Sequence, residues 1–278
     1  MAKSDTLFIA IGGGELSKAD SVLEGFLEAV KKQRDPRILV MTVATNEPER
    51  ASDKYNSIFR NRGIKHVDTV DVSQREDAYE DRAVNKAELT DAFFFTGGDQ
   101  LNITTLLGGS PLGQMVQQRV NEGVIVAGTS AGAAMMPKTM IISGDSVKPP
   151  TSGGVEIAPG MGLFDSILID THFSQRGRHG RLLAAVAHYP KALGIGLDER
   201  TAIFVRGHKF RVVGDGAVTV MDGSDVTVND LPYRGKGERV GITGVKVDVL
   251  PEGYGFDLNE RRAISPSLKK IRVAGDEE

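Results

Sequence analysis

Two glycine-rich stretches decide the fold of this chain: Phe93–Asn102 (FFFTGGDQLN) and, about one supersecondary unit later, Gly128–Gly132 (GTSAG). Each follows an apolar run, and the second follows Val124–Ala127 directly. A buried strand that ends in a G-x-S-x-G turn presents its serine hydroxyl on a tight strand-to-helix bend. Glycine is needed there because the backbone is crowded and a Cβ would clash. The two turns together predict an acyl-transfer site with Ser130 as the nucleophile.

Apolar runs alternate with helical patterns on both sides of these turns. Ser21–Lys32, for example, has its apolar residues at helical spacing. Continuously apolar strands that alternate with helices are typical of an α/β fold with three layers, in which helices flank a mostly parallel sheet. Functional loops lie at the carboxyl ends of such strands, where both glycine-rich turns occur. The strands predicted in this half are Leu7–Ile11, Arg37–Val43, His66–Val72, Ala92–Thr96 and Val124–Gly128.

The second half of the chain differs in character. Met140–Gly162 is rich in Gly, Pro, Ser and Thr, and it is interpreted as a long loop of the kind that is often functional. Short strands are predicted at Ile167–Ile169 and Ala192–Leu197, and later β-branched runs predict an antiparallel β segment. We expect a single catalytic domain over 1–278, with a β-rich C-terminal portion from about 206 to 278.

Composition narrows the function classes. The chain has 278 residues, a formal net charge of -3 and no cysteine. There is no basic field to attract nucleic acid, and disulfides, thiolate metal sites and cysteine nucleophiles are excluded. No metal-ligand spacing appears, and no cofactor is expected. The apolar run at Leu7–Ile11 is too short for a signal-peptide core or a membrane span. We therefore expect a cytoplasmic, soluble protein without nucleic-acid or membrane partners.

A serine nucleophile needs a base, and the five histidines are the candidates. His172 is preferred because it follows a short apolar strand and so reaches the same sheet edge as the serine. His179 lies in the basic turn that follows, and His188 lies late in a predicted helix, where capping or surface positions are common. His66 and His208 begin strands and are interpreted as structural.

The base in turn needs an acid to orient it. Glu199 lies just beyond the strand Ala192–Leu197 and reaches the same edge. Asp198 is its neighbour, but adjacent residues point in opposite directions on a strand, so only one of the two should face the histidine. The resulting chain order is Ser…His…Glu. The α/β-hydrolases have the order Ser…Asp…His, so the order disfavours a lipase or esterase.

Three arginines follow the candidate base within Ser174–Arg181 (SQRGRHGR). A charge cluster is most often a solvated helix face, but two glycines interrupt this one and favour a shaped loop. Because arginine binds carboxylates in a bidentate manner, the cluster indicates an acidic substrate.

A third glycine-rich turn, Gly12–Gly14, follows the first predicted strand. It lacks both the G-x-G-x-x-G pattern and a P-loop lysine. We therefore interpret it as a tight turn packed near the site rather than a phosphate-binding turn.

Four motifs (GTSAGA, TGGDQ, DTHFSQRGRHGRL and GIGLDERTA) resemble the cyanophycinases, serine peptidases of the family that includes the aspartyl dipeptidases. The resemblance extends from Gly12 to about Phe204. Its most specific element is Asp170–Leu182, because the aspartyl dipeptidases are not expected to carry the arginine run. The resemblance implies a fold like class I glutamine amidotransferase domains and a catalytic triad of Ser130, His172 and Glu199.

The same resemblance implies roles for further residues. Backbone N–H groups near Gly98 or Asp99, together with that of Ala131, would form the oxyanion hole. Thr171 departs from the family pattern, in which a glutamine is expected, and its shorter side chain removes an amide donor and acceptor. The implied substrate-binding residues are Gln100, Asp170, Thr171, Arg176, Arg178 and Arg181.

Cyanophycin is a poly-aspartate backbone with arginine attached to each side-chain carboxyl group. The resemblance implies an exopeptidase that releases β-Asp-Arg dipeptides from a chain end through an acyl-enzyme. A homodimer is expected because many such α/β proteins form two-fold dimers. Two alternatives remain open. One is an aspartyl or isoaspartyl dipeptidase of the same family, and the other is a non-catalytic protein that binds an acidic ligand in the same cleft.

Overall fold

The computed structural model describes residues 6–15, 21–144 and 148–266. Part of the predicted C-terminal portion, beyond residue 266, therefore lies outside the described residues. The helices in these ranges are α1 (Ser21–Val30), α2 (Pro48–Arg60), α3 (Asp81–Glu88), α4 (Gln100–Leu107), α5 (Pro111–Glu122), α6 (Ala131–Ala134) and α7 (His179–His188), with 3₁₀ turns at Arg75–Tyr79 and Leu231–Tyr233. The first nine strands of the described ranges are β1 (Leu7–Ile11), β2 (Arg37–Met41), β3 (His66–Val70), β4 (Ala92–Phe95), β5 (Ile125–Thr129), β6 (Thr139–Gly144), β7 (Val155–Pro159), β8 (Ile167–Thr171) and β9 (Leu193–Leu197). The remaining strands are β10 (Thr201–Arg206), β11 (Lys209–Gly214), β12 (Ala217–Asp222), β13 (Val228–Asn229), β14 (Ile242–Thr243), β15 (Lys246–Pro251), β16 (Gly255–Asp257) and β17 (Arg262–Ile264).

The main sheet has the strand order β17-β16-β11-β10-β1-β5-β4-β2-β3. Strands β1, β5, β4, β2 and β3 are parallel, whereas β10, β11, β16 and β17 pair antiparallel. The predicted α/β class is confirmed, but the sheet is mixed rather than mostly parallel. The physical reason is connection length: only two residues separate β10 from β11, and such a connection can join only antiparallel neighbours.

A second sheet has the order β15-β12-β9-β8. Strands β8 and β9 are parallel, and the last residues of each, Thr171 and Leu197, are paired in register. The residues that follow these two strands therefore emerge side by side. This pairing places His172 next to the Asp198–Glu199 turn.

The predicted long loop at Met140–Gly162 is wrong over much of its length. It contains most of β6 and all of β7, which form an antiparallel pair with an irregularity between Ile141 and Ser143. Glycine and proline concentrate between the two strands, and their density hid two short β-forming runs. The inner strand β6 has its first apolar residues, Met140 and Ile141, fully or almost fully buried.

The core lies on both faces of the main sheet. In β4, Phe93 and Phe95 face the cluster that includes α3, α4 and α5, whereas Phe94 faces α1 and α2. Phe94 packs against Phe26 and Tyr55 with ring centroids 5.7 and 4.6 Å apart. This alternation fixes which face of the sheet each β4 side chain contacts, and so it holds in place the glycine turn that follows β4. None of the helices in the described ranges is long and apolar enough to cross a membrane.

Candidate active site

Ser130 occupies a strained position between β5 and α6. Its backbone angles are φ 53° and ψ −112°, a conformation that a residue with a Cβ rarely adopts. The flanking glycines permit this bend: a Cβ on Gly128 would lie 2.2 Å from the carbonyl oxygen of Gly132. The strain holds the hydroxyl at the end of the sheet, as the G-x-S-x-G pattern predicts.

A hydrogen-bonded chain joins Ser130 to His172 and Glu199. Ser130 Oγ lies 2.9 Å from His172 Nε2, and His172 Nδ1 lies 2.6 Å from Glu199 Oε1. The histidine side chain is 13% exposed and the glutamate 38%, so the base is more sheltered from solvent than the acid that orients it. A carboxylate on Nδ1 keeps the proton there and leaves Nε2 free to accept one from the serine.

The turn after β1 fixes the backbone of all three segments. Three consecutive carbonyl oxygens, those of Ile11, Gly12 and Gly13, accept from the N–H groups of Ser130 (2.9 Å), His172 (2.7 Å) and Arg200 (2.8 Å) respectively. We call Ile11–Gly13 the carbonyl ladder. The turn does pack near the site, as predicted, and its carbonyl groups bind main chain rather than phosphate.

Burial lowers the pKa of His172 below its ordinary value, and the positive charges of Arg176 and Arg178 lower it further. The hydrogen bond and negative charge of Glu199 act in the opposite direction. Because the net shift is downward, the imidazole is neutral at neutral pH. A neutral imidazole is the form that can accept the serine proton.

Asp198 and Glu199 have different partners. Asp198 accepts from the backbone N–H groups of Ser174 (3.0 Å) and Ala217 (3.1 Å), and so it ties two loops together. Glu199 alone bonds to the histidine, and its own backbone N–H donates to the side-chain oxygen of Gln175 at 3.0 Å. Sequence analysis did not identify Gln175, because only the fold brings it to the acid.

Of the backbone donors expected near the serine, the Asp99 N–H is already used: it donates to the carbonyl oxygen of Ala44 at 2.7 Å. The N–H groups of Gly98 and Ala131 have no acceptor within the described part of the chain. The Gly97–Gly98 turn lies against the serine, since a Cβ on Gly97 would be 3.4 Å from the Ser130 Cβ. The geometry therefore favours Gly98 over Asp99.

A cavity of about 320 Å³ opens beside Ser130. Its lining includes all six residues predicted for substrate binding, together with apolar residues from β6 and β8 that sequence analysis missed. Ile141 and Ile142 belong to the stretch interpreted as a loop. The apolar run from Met140 to Ile142 is the sequence feature that could have predicted a strand there. The lining residues are Gly98, Asp99, Gln100, Ser130, Ala134, Ile141, Ile142, Ile169, Asp170, Thr171, His172, Arg176, Arg178 and Arg181.

Arg176, Arg178 and Arg181 line one side of the cavity, which we call the arginine wall. Asp170 is buried at its centre. Its side chain is 1% exposed, and it accepts from Nε and Nη2 of Arg181 and from Nη1 of Arg178. Arg178 also donates to the carbonyl oxygen of Thr171 at 2.6 Å. Burial lowers the pKa of Arg178 to about 10, so the guanidinium is still charged at neutral pH.

Arg176 differs from the other two arginines. It is exposed on the cavity rim, and its guanidinium has no acceptor within the described residues. Because Asp170 carries one charge against the two buried arginines, the wall as a whole keeps a net positive charge. Such a wall favours a ligand with free carboxylates.

The other histidines lie outside the serine–histidine–glutamate chain. His66 pairs with Asp35 at 3.0 Å, and His208 lies 3.6 Å from Asp257. His179 packs on the ring of Phe173. Within the described residues, no cluster of histidine and acidic side chains is arranged to hold a metal ion.

Comparisons with known proteins match most of the chain. The model of Peptidase family S51 matches residues 8–213. Cyanophycinase from Nostoc sp. (strain PCC 7120) is 36% identical over 236 residues, which cover 84% of this chain and 79% of the relative. Cyanophycinase from Synechococcus elongatus is 34% identical over 269 residues, covering 94% and 83% respectively.

Solved structures give the same fold at lower identity. A peptidase from an acI-B1 Actinobacterium superposes with a TM-score of 0.68 and 20% identity, over 91% of this chain and 97% of the other. A putative peptidase E from Listeria monocytogenes EGD-e has a TM-score of 0.51 and 16% identity, over 76% and 100%. At these identities the likeness concerns the fold alone.

Proposed function

Since the chain belongs to peptidase family S51 and is a serine-type peptidase, we propose that it hydrolyses cyanophycin from a chain end to β-Asp-Arg dipeptides. The cyanophycinases among its relatives support the substrate. The observation that carries the proposal is a serine–histidine–glutamate chain on one wall of a cavity whose other wall holds three arginines.

The proposed reaction has two steps. Ser130 Oγ attacks the carbonyl carbon of a backbone aspartate as its proton moves to His172 Nε2, and the carbonyl oxygen becomes an oxyanion. The C–N bond then breaks, and His172 gives that proton to the departing amine. Water next attacks the acyl-enzyme while His172 takes its proton, and the C–O bond to the serine breaks with return of the proton to Oγ.

Glu199 keeps the imidazole in the tautomer that accepts from serine and stabilises the imidazolium formed in each step. The free N–H groups of Gly98 and Ala131 are the proposed oxyanion donors, in place of Asp99. Carboxylates at the end of the polymer would bind the arginine wall, where Arg176 has no internal partner. Gln100, Asp170, Thr171, Arg178 and Arg181 shape the same cavity.

Several wider features belong to the same proposal. We propose one catalytic domain over residues 1–278, related in fold to class I glutamine amidotransferase domains, acting as a homodimer in the cytoplasm. Thr171 is fully packed at the end of β8, so a glutamine at this position would extend into the cavity. The shorter residue leaves room there for part of the substrate.

The test is a mass-spectrometric assay of the purified protein on cyanophycin. We expect β-Asp-Arg from the wild type and a loss of roughly 10³–10⁶-fold in kcat for Ser130→Ala. Ser143→Ala removes an exposed hydroxyl on β6 and should keep full activity. Cleavage of short aspartyl peptides without release from polymer would favour the dipeptidase alternative. Normal turnover by Ser130→Ala would contradict the mechanism.

A further inference from the structure

We infer that Asp99 binds the guanidinium group of the substrate arginine. The inference rests on the proposed function and assigns a cation subsite on the serine side of the cavity. The arginine wall can hold carboxylates, but it would repel the positive side chain that cyanophycin carries on every residue. A site for that substrate must therefore contain an acceptor of positive charge away from the arginines.

Asp99 is placed to be that acceptor. It lines the same cavity as Ser130 and is exposed at the start of α4. Its Oδ1 accepts from the backbone N–H of Leu101 at 2.8 Å, which caps the helix. The second carboxylate oxygen has no donor within the described residues. The cap thus fixes the orientation of the side chain while one oxygen stays available to a ligand.

The other carboxylates near the serine are already committed. Asp170, the second acidic residue of the lining, is buried between Arg178 and Arg181. Glu199 lies behind the histidine and bonds to it. Among the described lining residues, Asp99 is therefore the acid that can meet a guanidinium without losing an arginine or histidine partner.

Gln100 adds a neutral acceptor beside Asp99. Its amide nitrogen donates to the carbonyl oxygen of Ile141 at 2.7 Å, which holds the side chain against β6. The amide oxygen has no donor within the described residues. A guanidinium has five N–H donors in a planar fork, so it can bond to a carboxylate and an amide oxygen at once.

The experiment compares two synthetic oligomers with a poly-aspartate backbone, one with arginine and one with citrulline joined to each side-chain carboxyl group. The citrulline side chain has nearly the same shape but no charge. Asp99→Asn is the test variant, because asparagine still caps α4. We expect its kcat/KM to fall about tenfold or more on the arginine oligomer and to change less than about twofold on the citrulline oligomer.

The matched control is Glu15→Gln. Glu15 is an exposed acid directly after Gly14 and outside the cavity lining, so Glu15→Gln changes the net charge by the same amount as Asp99→Asn. We expect it to leave the arginine-to-citrulline ratio unchanged. Equal losses on both oligomers for Asp99→Asn would overturn the subsite, as would an arginine-specific loss for Glu15→Gln.

Binding to the Ser130→Ala protein separates this inference from the proposed function. β-Asp-Arg and β-Asp-citrulline are titrated calorimetrically against Ser130→Ala with and without Asp99→Asn. If the wild type cleaves neither oligomer but binding prefers arginine only when Asp99 is present, the proposed function fails and the subsite stands. Absence of both cleavage and an Asp99-dependent preference would contradict both.

Discussion

The two walls of the cavity, one carrying Ser130 and the other carrying Arg178 and Arg181, differ in what holds their side chains in place. On the serine wall, main-chain hydrogen bonds to the carbonyl ladder and a strained φ angle set the geometry. On the arginine wall, a single buried carboxylate, Asp170, holds two guanidinium groups. Backbone hydrogen bonds therefore position the proposed catalytic groups, whereas side-chain charge positions the proposed binding groups.

This difference predicts that changes on the serine wall lower turnover and leave the fold intact. Changes at the centre of the arginine wall should instead lower the free energy of unfolding, and changes at its rim should weaken binding. Four substitutions, two on each wall, test that division.

The largest effect is expected for Glu199→Gln. A glutamine can donate to His172 Nδ1 and so stabilise the tautomer that cannot accept the serine proton. We expect kcat to fall about 10⁴-fold, with little change in KM. Steady-state kinetics on cyanophycin gives both values, and circular dichroism checks the fold. A rise in KM with kcat unchanged would contradict the division between the two walls, because it would assign Glu199 to substrate binding.

Asp170→Asn should be the most destabilising change. It leaves Arg178 and Arg181 buried without their counter-charge, which costs about 3–5 kcal/mol of unfolding free energy. Urea denaturation measures the change. The matched control is Asp215→Asn, which breaks an exposed pair with Arg200 (62% and 55% exposed) and should cost less than about 1 kcal/mol. Similar values for the two variants would contradict the assigned role of Asp170.

Gly13→Ala tests whether backbone geometry limits turnover. Gly13 has φ +99°, and a Cβ there would lie 2.4 Å from Cε1 and Nε2 of His172. The imidazole must move, so we expect kcat to fall about 10²-fold.

Gly63→Ala is the control for Gly13→Ala. It has a similar φ of +87° but nothing within 4 Å of the added Cβ, and it lies after α2, away from the cavity. It should lose about 1–2 kcal/mol of stability with kcat unchanged. If kcat fell equally in both variants, backbone strain would explain the loss, and displacement of His172 would not be needed. If kcat were unchanged in both, the geometry of this turn would not limit turnover.

The smallest effect is expected for Arg176→Gln, at the rim of the arginine wall. Loss of an unpartnered guanidinium should raise KM for polymer ends about tenfold. Burial is the main cause of the low pKa of His172, but the Arg176 charge contributes. Its removal should raise that pKa, so the acidic limb of kcat/KM moves to higher pH. Arg176→Lys, which keeps the charge, should leave the limb in place; an unmoved limb in Arg176→Gln would contradict the coupling.

Sequence reasoning identified the groups whose positions follow from strand ends. Ser130 and His172 come directly after the buried strands β5 and β8, and Glu199 lies two residues beyond β9. Strands β8 and β9 are parallel neighbours, but β5 belongs to the main sheet, so the single sheet edge expected for the serine and the histidine is wrong. The carbonyl ladder after β1 joins the two sheets at this point. The partners that depend on side-chain reach were not predictable in this way. The bond between Gln175 and Glu199 joins two loops, and the saturation of Asp170 by two arginines depends on where the fold places the start of α7.

Local composition explains the other differences. Averaging over Met140–Gly162 gave weight to glycine and proline between β6 and β7 and concealed the apolar run that lines the cavity. The sequence left Gly98 and Asp99 as alternative oxyanion donors, but in the fold the Asp99 N–H donates to the carbonyl oxygen of Ala44. Only the tertiary fold decides which of two adjacent amides stays free.

The carbonyl ladder also has a consequence for the order in which the protein is made. Its three acceptors, at residues 11 to 13, leave the ribosome long before the last of their donors, which belongs to residue 200. A nascent chain therefore has its serine long before it has the loop that orients the histidine. The growing polypeptide cannot complete the hydrogen-bonded chain from Ser130 to Glu199 until most of the residues up to 200 have been synthesised.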